Sequence, residues 1–332
     1  MRPNSFGNEA AAQAAGDGPT VVSSQRTMSA HRVDFSIIVP TFNRPRQLED
    51  CLSALTALRY AVDRFEVIVV DDGSAEPVGR AVALFGNLLN VSVVRQENAG
   101  PAAARNRGVE HARGAWLAFT DDDCLPNADW LQTLACRLDK RPNCVVGGHT
   151  VNGLSDNLCS AMSQIIIDVV YRYYNVRPEQ ALFFATNNLA MSREIFHKVG
   201  GFDASFTTAE DRDFCDRCLC SGIQLVYAPE CVVYHRHSLS YLSFCRQHFN
   251  YGRGAFRFLR GQVQRHSRHK WIKTGFHLSV QNWLLYPFSR VRPHQWPGLA
   301  VLLFSWQVTN LFGFLAEAAS SITAGRAARR ET

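Results

Sequence analysis

The sequence predicts an α/β protein with a mostly parallel central sheet flanked by helices and a helical appendage at its C-terminal end. Three observations carry this reading. Short apolar runs recur without internal polar breaks, which suits strands buried on both faces. Between them lie segments whose apolar residues repeat at helical spacing, the alternation of a parallel sheet covered on both sides. Finally, polar residues stand where the runs end: Thr41 and Asn43 after the first, Asp71 and Asp72 after the second, and Asp121, Asp122 and Asp123 after the fourth. Ligands of such sheets bind beyond the carboxyl ends of the strands. Strand stops and helix caps explain any one of these cases well, and three coincident cases poorly.

The elements follow in chain order. Residues 1–34 have no basic start leading into an apolar core, which argues against a secretory signal. They are rich in Ala, Gly, Ser, Asn and Gln and read as a disordered tail. "FSIIVP" (35–40) is the first buried strand. Pro45 opens a helix that carries Leu48, Cys51, Leu52, Leu55 and Leu58 on one face. "FEVIVV" (65–70) is the second strand and ends in "DDGS"; a turn and an apolar helix lead to "VSVV" (91–94). "NAGPAAARNRGVEHARG" reads as a loop and helix closed by Gly114, and "AWLAF" as the fourth strand. Further on, "TAEDRDFCDR" opens a helix at a Glu-Asp pair, and "APECVVYHRH" reads as a strand returning His235 and His237 to the same edge.

Composition bounds the chemistry. With 46% hydrophobic residues in 332, the chain has a core of ordinary size. The net charge of +6 is weighted toward the C-terminal end, where Arg and His mix with Phe, Tyr and Trp between Arg246 and Arg292. That mixture suits an anionic membrane surface or a phosphate-bearing substrate. No zinc-finger, homeodomain or RNA-binding signature accompanies it, so nucleic acid is not expected as a partner. The ten cysteines follow no disulfide-framework spacing and read as reduced thiols. Cys215, Cys218 and Cys220 lie close in sequence, but on a helix Cys220 is rotated away from the other two, so zinc is disfavoured.

Four blocks, "SIIVPTFNRPRQLEDCLSAL", "FEVIVVDDGS", "NAGPAAARNRGVEHARGAWLAFTDDD" and "TNNLAMSREIFHKVGGFDASFTTAEDRDFCDR", together resemble family 2 glycosyltransferases of the Rossmann-like GT-A fold, in that family's order. The resemblance covers about residues 35–237, the expected catalytic domain. It implies an inverting transferase that moves a sugar from a nucleotide-diphosphate donor to an acceptor hydroxyl. It implies Mg²⁺ or Mn²⁺, cations that favour hard oxygen ligands, held by Asp121, Asp123 and His235, with Asp123 foremost. Asp121 would also face the ribose, Asp122 fills the variable middle place of the motif beside the donor, and His237 is the second candidate histidine. Pro40, Thr41, Asn43, Asp71 and Asp72 are implied for base and ribose, favouring UDP- or dTDP-linked donors through an Asp that accepts from the base imino N–H. Arg105 is implied for the diphosphate. Asp211 is implied as the base and Glu210 as its support or an acceptor ligand, with capping of the helix as the alternative role. Asn187 and Asn188 are candidates on the acceptor and donor-sugar side.

Residues 238–332 read as helical, basic and aromatic. Residues 298–319 are long enough to span a bilayer, although Ser305, Gln307, Thr309, Asn310 and Glu317 interrupt them. Spanning, lying in the membrane surface and packing in the core all stay open, with membrane association favoured. The expected location is cytoplasmic, at the inner face of the membrane, and the expected acceptor is an envelope glycan, a glycolipid or a lipid-linked intermediate. Two other functions are weighed. A sugar nucleotidyltransferase would need a Gly-rich basic loop after the first strand, which "PTFNRP" lacks. A catalytically silent nucleotide-sugar-binding subunit sits poorly with intact Asp121, Asp123 and Asp211.

Overall fold

The four apolar runs form neighbouring parallel strands because each can be buried on both faces and covered by helices. The computed structural model describes residues 22–23, 33–154, 156–265 and 279–328. Its strands are β1 (Val22–Ser23), β2 (Phe35–Thr41), β3 (Phe65–Asp71), β4 (Val91–Arg95), β5 (Trp116–Phe119), β6 (Cys124–Pro126), β7 (Cys144–Asn152), β8 (Leu189–Ser192) and β9 (Gln224–His235). Among the described residues they form a single sheet, in the order β1-β4-β3-β2-β5-β8-β7-β9-β6.

The long pairings of the sheet are parallel, as expected, and shorter antiparallel ones make it mixed. β4, β3, β2 and β5 are parallel to one another, as are β7 and β9. β8 runs antiparallel to both β5 and β7, and β6 antiparallel to β9. The reversals matter for the site. An antiparallel strand brings its amino end to the edge where its parallel neighbours end, so residues just before β8 share an edge with those just after β5. Most of the tail expected to be disordered lies outside the described residues. Val22 and Ser23, however, pair antiparallel with Val93 and Ser92, extending the sheet at the free edge of β4.

The helices between the strands follow in order. α1 (Pro45–Thr56) starts at its proline and buries Leu48, Cys51, Leu52 and Leu55. The next are α2 (Gly79–Ala83) and α3 (Pro101–Glu110), which holds Arg105. Then come α4 (Trp130–Lys140), α5 (Leu158–Tyr174), α6 (Arg193–Val199) and α7 (Glu210–Cys220). On α7, Cys215 and Cys218 are buried whereas Cys220 is exposed, and no described cysteine is in a disulfide.

The C-terminal region is helical, with α8 (Tyr241–Gln264), α9 (Tyr286–Ser289) and α10 (Trp296–Ala328). One apolar core runs across residue 237 without a break and joins Ile38 and Phe119 to Phe244, Phe258, Leu302 and Trp306. α8 and α10 meet backbone to backbone: a methyl group at Gly252 would collide with the Asn310 carbonyl, and one at Gly313 with that of Phe249. Glu317 of α10 is buried and accepts from Arg253 Nε at 2.7 Å and Arg257 Nε at 2.6 Å on α8. Residues 293–323 are long and apolar enough to cross a membrane by length and composition, yet a third of their apolar stretch is buried within the protein.

α8 also presses on the loop before α7. Thr208 Oγ1 donates to the Asn250 carbonyl at 2.9 Å, and a Cβ at Gly254 would lie 2.6 Å from the Thr208 carbonyl oxygen. Gly254→Val is therefore expected to destabilise the fold by about 1–3 kcal/mol through overpacking. A lowered urea midpoint at unchanged m-value would show it, and an unchanged midpoint would refute the contact.

Candidate active site

Three adjacent carboxylates repel one another, and the fold answers with a partner for each. Asp121 Oδ1 accepts from Arg105 Nη2 at 2.6 Å. Asp122 accepts from Thr41 Oγ1 at 2.8 Å and from Arg44 Nη1 at 3.3 Å. Asp123 accepts from Arg44 Nη1 at 3.1 Å and meets His235 Nε2 at 3.2 Å. The last pairing is a matter of register: β6 and β9 pair Cys124 opposite His235, and the Arg236 N–H donates to the Asp123 carbonyl at 2.8 Å. Strand pairing thus sets His235, rather than His237, against Asp123.

The environments differ. Burial pushes the Asp122 carboxyl up to about 7, with Arg44 and the Thr41 hydroxyl pulling the other way. Asp123 is as deeply buried, which by itself raises its pKa, but the hydrogen bond and charge of His235 hold it well below the usual carboxylate range. His235 is lowered by burial and raised more by Asp123, so its pKa lies above normal. His237 is pushed down to about 4 by burial and by His235.

Asp123, Cys124 and His235 bring one ligand atom each to within 4.8 Å of one another. A carboxylate oxygen and an imidazole nitrogen suit Mn²⁺ and, through the oxygen, Mg²⁺. Burial pushes the Cys124 thiol pKa well up, so the thiol stays protonated and is a poor ligand for a hard cation. The residues therefore fit a divalent cation through Asp123 and His235. Asp121 is not in this grouping, because its carboxylate is turned to Arg105.

The loops expected to hold base and ribose divide in two. Pro40, Thr41 and Asp72 line the cavity beside the carboxylates; Asn43 and Asp71 do not. Asn43 adopts a left-handed backbone at φ 56°, donates its N–H to Ser74 Oγ and accepts from the Ala75 N–H, so it shapes the β2–α1 loop. Asp71 is buried and held by Arg95 Nη1 at 2.8 Å and the Ser74 N–H at 2.9 Å. Asp72 accepts from Gln96 Nε2 and from the Ala99 and Gly100 N–H groups at 2.7–2.9 Å, with Asn98 Nδ2 more distant at 3.3 Å. Its carboxylate thus secures the loop that opens α3.

The start of α7 lines the same cavity. Ala209 has a left-handed backbone at φ 72°, an uncommon conformation for a residue with a Cβ. The tight turn it makes brings both Glu210 and Asp211 to the cavity. Burial, and then the neighbouring Glu210 charge, raise the Asp211 carboxyl pKa well above its ordinary value. Glu210 Oε1 accepts from Arg105 Nη1 at 3.0 Å. Arg105, expected on the diphosphate, lines the cavity as a buried clamp between Asp121 and Glu210, because a guanidinium taken out of water needs anionic partners. Asn187 lines the cavity and accepts from Thr150 Oγ1 at 3.2 Å. Asn188 is fully buried: it accepts from Trp130 Nε1 at 2.9 Å and donates to the Cys231 carbonyl, so it belongs to the core.

These walls enclose a cavity of about 1110 Å³ that contains Asp121, Asp122, Asp123, Glu210, Asp211 and His235. Sequence reasoning missed Arg44. Its signal was a cation just before Pro45, in the loop after the first strand. It also missed Gln247, Tyr251 and Trp306 of α8 and α10, for which no local pattern exists.

Residues 36–200 match the family described as Glycosyl transferase family 2. Glycosyltransferase AglE of Haloferax volcanii is 26% identical over 206 residues, covering 60% of this chain and 66% of its own length. The pre-mycofactocin glycosyltransferase of Mycobacterium tuberculosis is 30% identical over 213 residues, covering 63% and 43% respectively. The alignments thus span less than two thirds of either relative. Among solved structures, mannosyltransferase PcManGT from Pyrobaculum calidifontis, in complex with GDP-Man and Mn²⁺, is similar with a TM-score of 0.59 at 19% identity over 85% of this chain and 88% of its own. TarS of S. aureus in complex with UDP-GlcNAc reaches 0.52 at 19% identity over 88% and 92%. These likenesses are of fold, the GT-A type that the motifs led us to expect.

Proposed function

We propose, from the match of residues 36–200 to glycosyl transferase family 2, that the chain moves a sugar from a nucleoside-diphosphate donor to an acceptor hydroxyl, with inversion. The observation that carries this reading is the one cavity that holds both the Asp123–His235 pair and the Glu210–Asp211 pair. A bound Mg²⁺ or Mn²⁺ would offset the charge that grows on the departing diphosphate. Asp123 and His235 would hold it, and Arg105 fixes Asp121 and Glu210 in the same cavity. Asp211 takes the acceptor proton as the acceptor oxygen bonds to the anomeric carbon and the bond to the diphosphate breaks. No enzyme nucleophile is needed, so the configuration inverts. Its raised pKa makes Asp211 a stronger base than an ordinary carboxylate once ionised.

On the donor side Pro40, Thr41 and Asp72 are assigned to base and ribose. An imino N–H of uracil or thymine would replace the 3.3 Å bond from Asn98 to Asp72, the longest of its four, which favours UDP- or dTDP-linked donors. The protein is placed at the cytoplasmic face of a membrane. Ten free cysteines and the apolar outer face of α10 support that placement.

A thermal-shift screen of nucleotide sugars with Mn²⁺, Mg²⁺ or EDTA tests the donor half. A ligand at a hundredfold excess over Kd stabilises by about 2.7 kcal/mol, several degrees in Tm. The expected result is a shift with a uridine or thymidine diphospho-sugar that EDTA abolishes. No shift with any donor and either cation would overturn the reading.

A further inference from the structure

The cavity is walled by more than its carboxylates. Helices α5, α8 and α10 also line it, through Ile167, Val170, Leu259, Trp306, Val308 and Phe314. The polar side chains in this part are largely engaged with one another. Gln247 Nε2 donates to Ser163 Oγ at 3.2 Å and to the Tyr251 hydroxyl at 3.1 Å. Gln164 Nε2 donates to the Thr150 carbonyl and to Asp168, so the wall left to a ligand is mainly hydrocarbon. His248 is the exception. It is 1% exposed, lies against Phe244, Tyr251 and Trp306, and neither ring nitrogen has a hydrogen-bond partner although the side chain borders the cavity. An orphaned buried donor is costly unless a ligand satisfies it.

The gallery has an apolar doorstep. Leu311 both lines the cavity and is 57% exposed, and from it the outer face of α10 presents Val301, Phe304, Phe312, Leu315 and Ile322 to the exterior. Exposed Arg290, Arg292 and Trp296 stand at the start of that face, the basic and aromatic rim of a surface helix on anionic lipid. α10 is bound along α8 by Gly252, Gly313 and the Glu317–Arg253–Arg257 pairs, so it lies as a wall of the catalytic unit.

The geometry points to an amphiphilic acceptor whose long hydrocarbon chain enters from a lipid surface past Leu311, lies in the α5–α8–α10 gallery, and presents its hydroxyl-bearing head to Asp211. This rests on the transferase reading and names its acceptor class: a lipid or lipid-linked alcohol rather than a free soluble glycan.

The test is photolabelling of the full chain with 1-hexadecanol carrying a mid-chain diazirine, followed by peptide mapping. Labels are expected on Val170, Leu259, Val308 or Phe314. Unlabelled straight-chain alcohols should compete, their half-inhibition concentration falling about threefold to fourfold per added methylene group. Leu259→Trp, which fills the gallery, should cut labelling at least tenfold while leaving the thermal shift with donor and Mn²⁺ unchanged, which also certifies the fold. Labels confined to Phe304, Phe312 and Leu315, or competition independent of chain length, overturn the gallery. Labelling needs no sugar transfer. A chain labelled in the gallery that binds no nucleotide sugar overturns the transferase reading alone, and one that glycosylates soluble glycans with an unlabelled gallery overturns this inference alone.

Discussion

Asp211→Asn is expected to lower kcat for sugar transfer by about 10²–10⁴-fold, the usual contribution of a positioned general base, while donor affinity stays within about threefold. Asn keeps the shape of the side chain and can still accept from the Arg212 N–H, which lies 2.7 Å from Asp211 Oδ1. What it loses is the capacity to take a proton. The pH profile provides a second reading. The base works only when ionised, and burial together with Glu210 raises its pKa. In the wild type, kcat/KM should therefore rise with pH through that raised value and level off above it. The acid limb should disappear in the variant. Stability should move the other way. A carboxyl whose folded-state pKa exceeds its unfolded value contributes stability at acid pH that is lost as pH rises through the folded value. Removing the charge should leave Tm unchanged or raise it at neutral pH, as is common where a site is held at the expense of stability. A variant with wild-type turnover would exclude Asp211 as the base.

Asp123→Ala should weaken Mn²⁺-dependent donor binding at least about 100-fold. Losing a residue that merely orients a ligand already costs about 10–100-fold, and Asp123 is assigned as a ligand itself. It also leaves Arg44 and His235, at 3.1 and 3.2 Å from its oxygens, without that anion. Asp122→Asn provides the contrast. Asp122 is tied to Thr41 and Arg44, and its pKa of about 7 means that a neutral form is within easy reach. Its replacement should change metal-dependent binding less than about tenfold. Calorimetric titration of the nucleotide sugar with and without Mn²⁺ separates the two variants. Equal losses would mean that the three carboxylates act as one undifferentiated cluster.

The contrast between Asp122 and Asp123 shows what a local pattern conveys. Both are carboxylates in one triplet, and nothing within the triplet says which faces the cation. Asp123 is distinguished by a strand more than a hundred residues later, whose register sets His235 opposite Cys124. Asn187 and Asn188 repeat the lesson: adjacent and identical, they diverge because a 3₁₀ turn sends one to the cavity and the other to Trp130 and Cys231. Arg105 lines the cavity, and its buried guanidinium binds Asp121 and Glu210 through a contact between α3 and α7 that neither segment foretells.

The strands, the helices between them and the polar edge they share followed from local chemistry. An uninterrupted apolar run, a proline at a helix start and a carboxylate at a strand end each act over a few residues. Tertiary structure alone decided the mixed direction of the sheet, the partner of each carboxylate, the conversion of Asn43 and Asp71 from ligand candidates into loop supports, and the use of α8 and α10 as a cavity wall. Those outcomes depend on register and on backbone approach between segments far apart in the chain. Gly252 against Asn310 and Gly313 against Phe249 are contacts of that kind, and no periodicity within either helix foretells them.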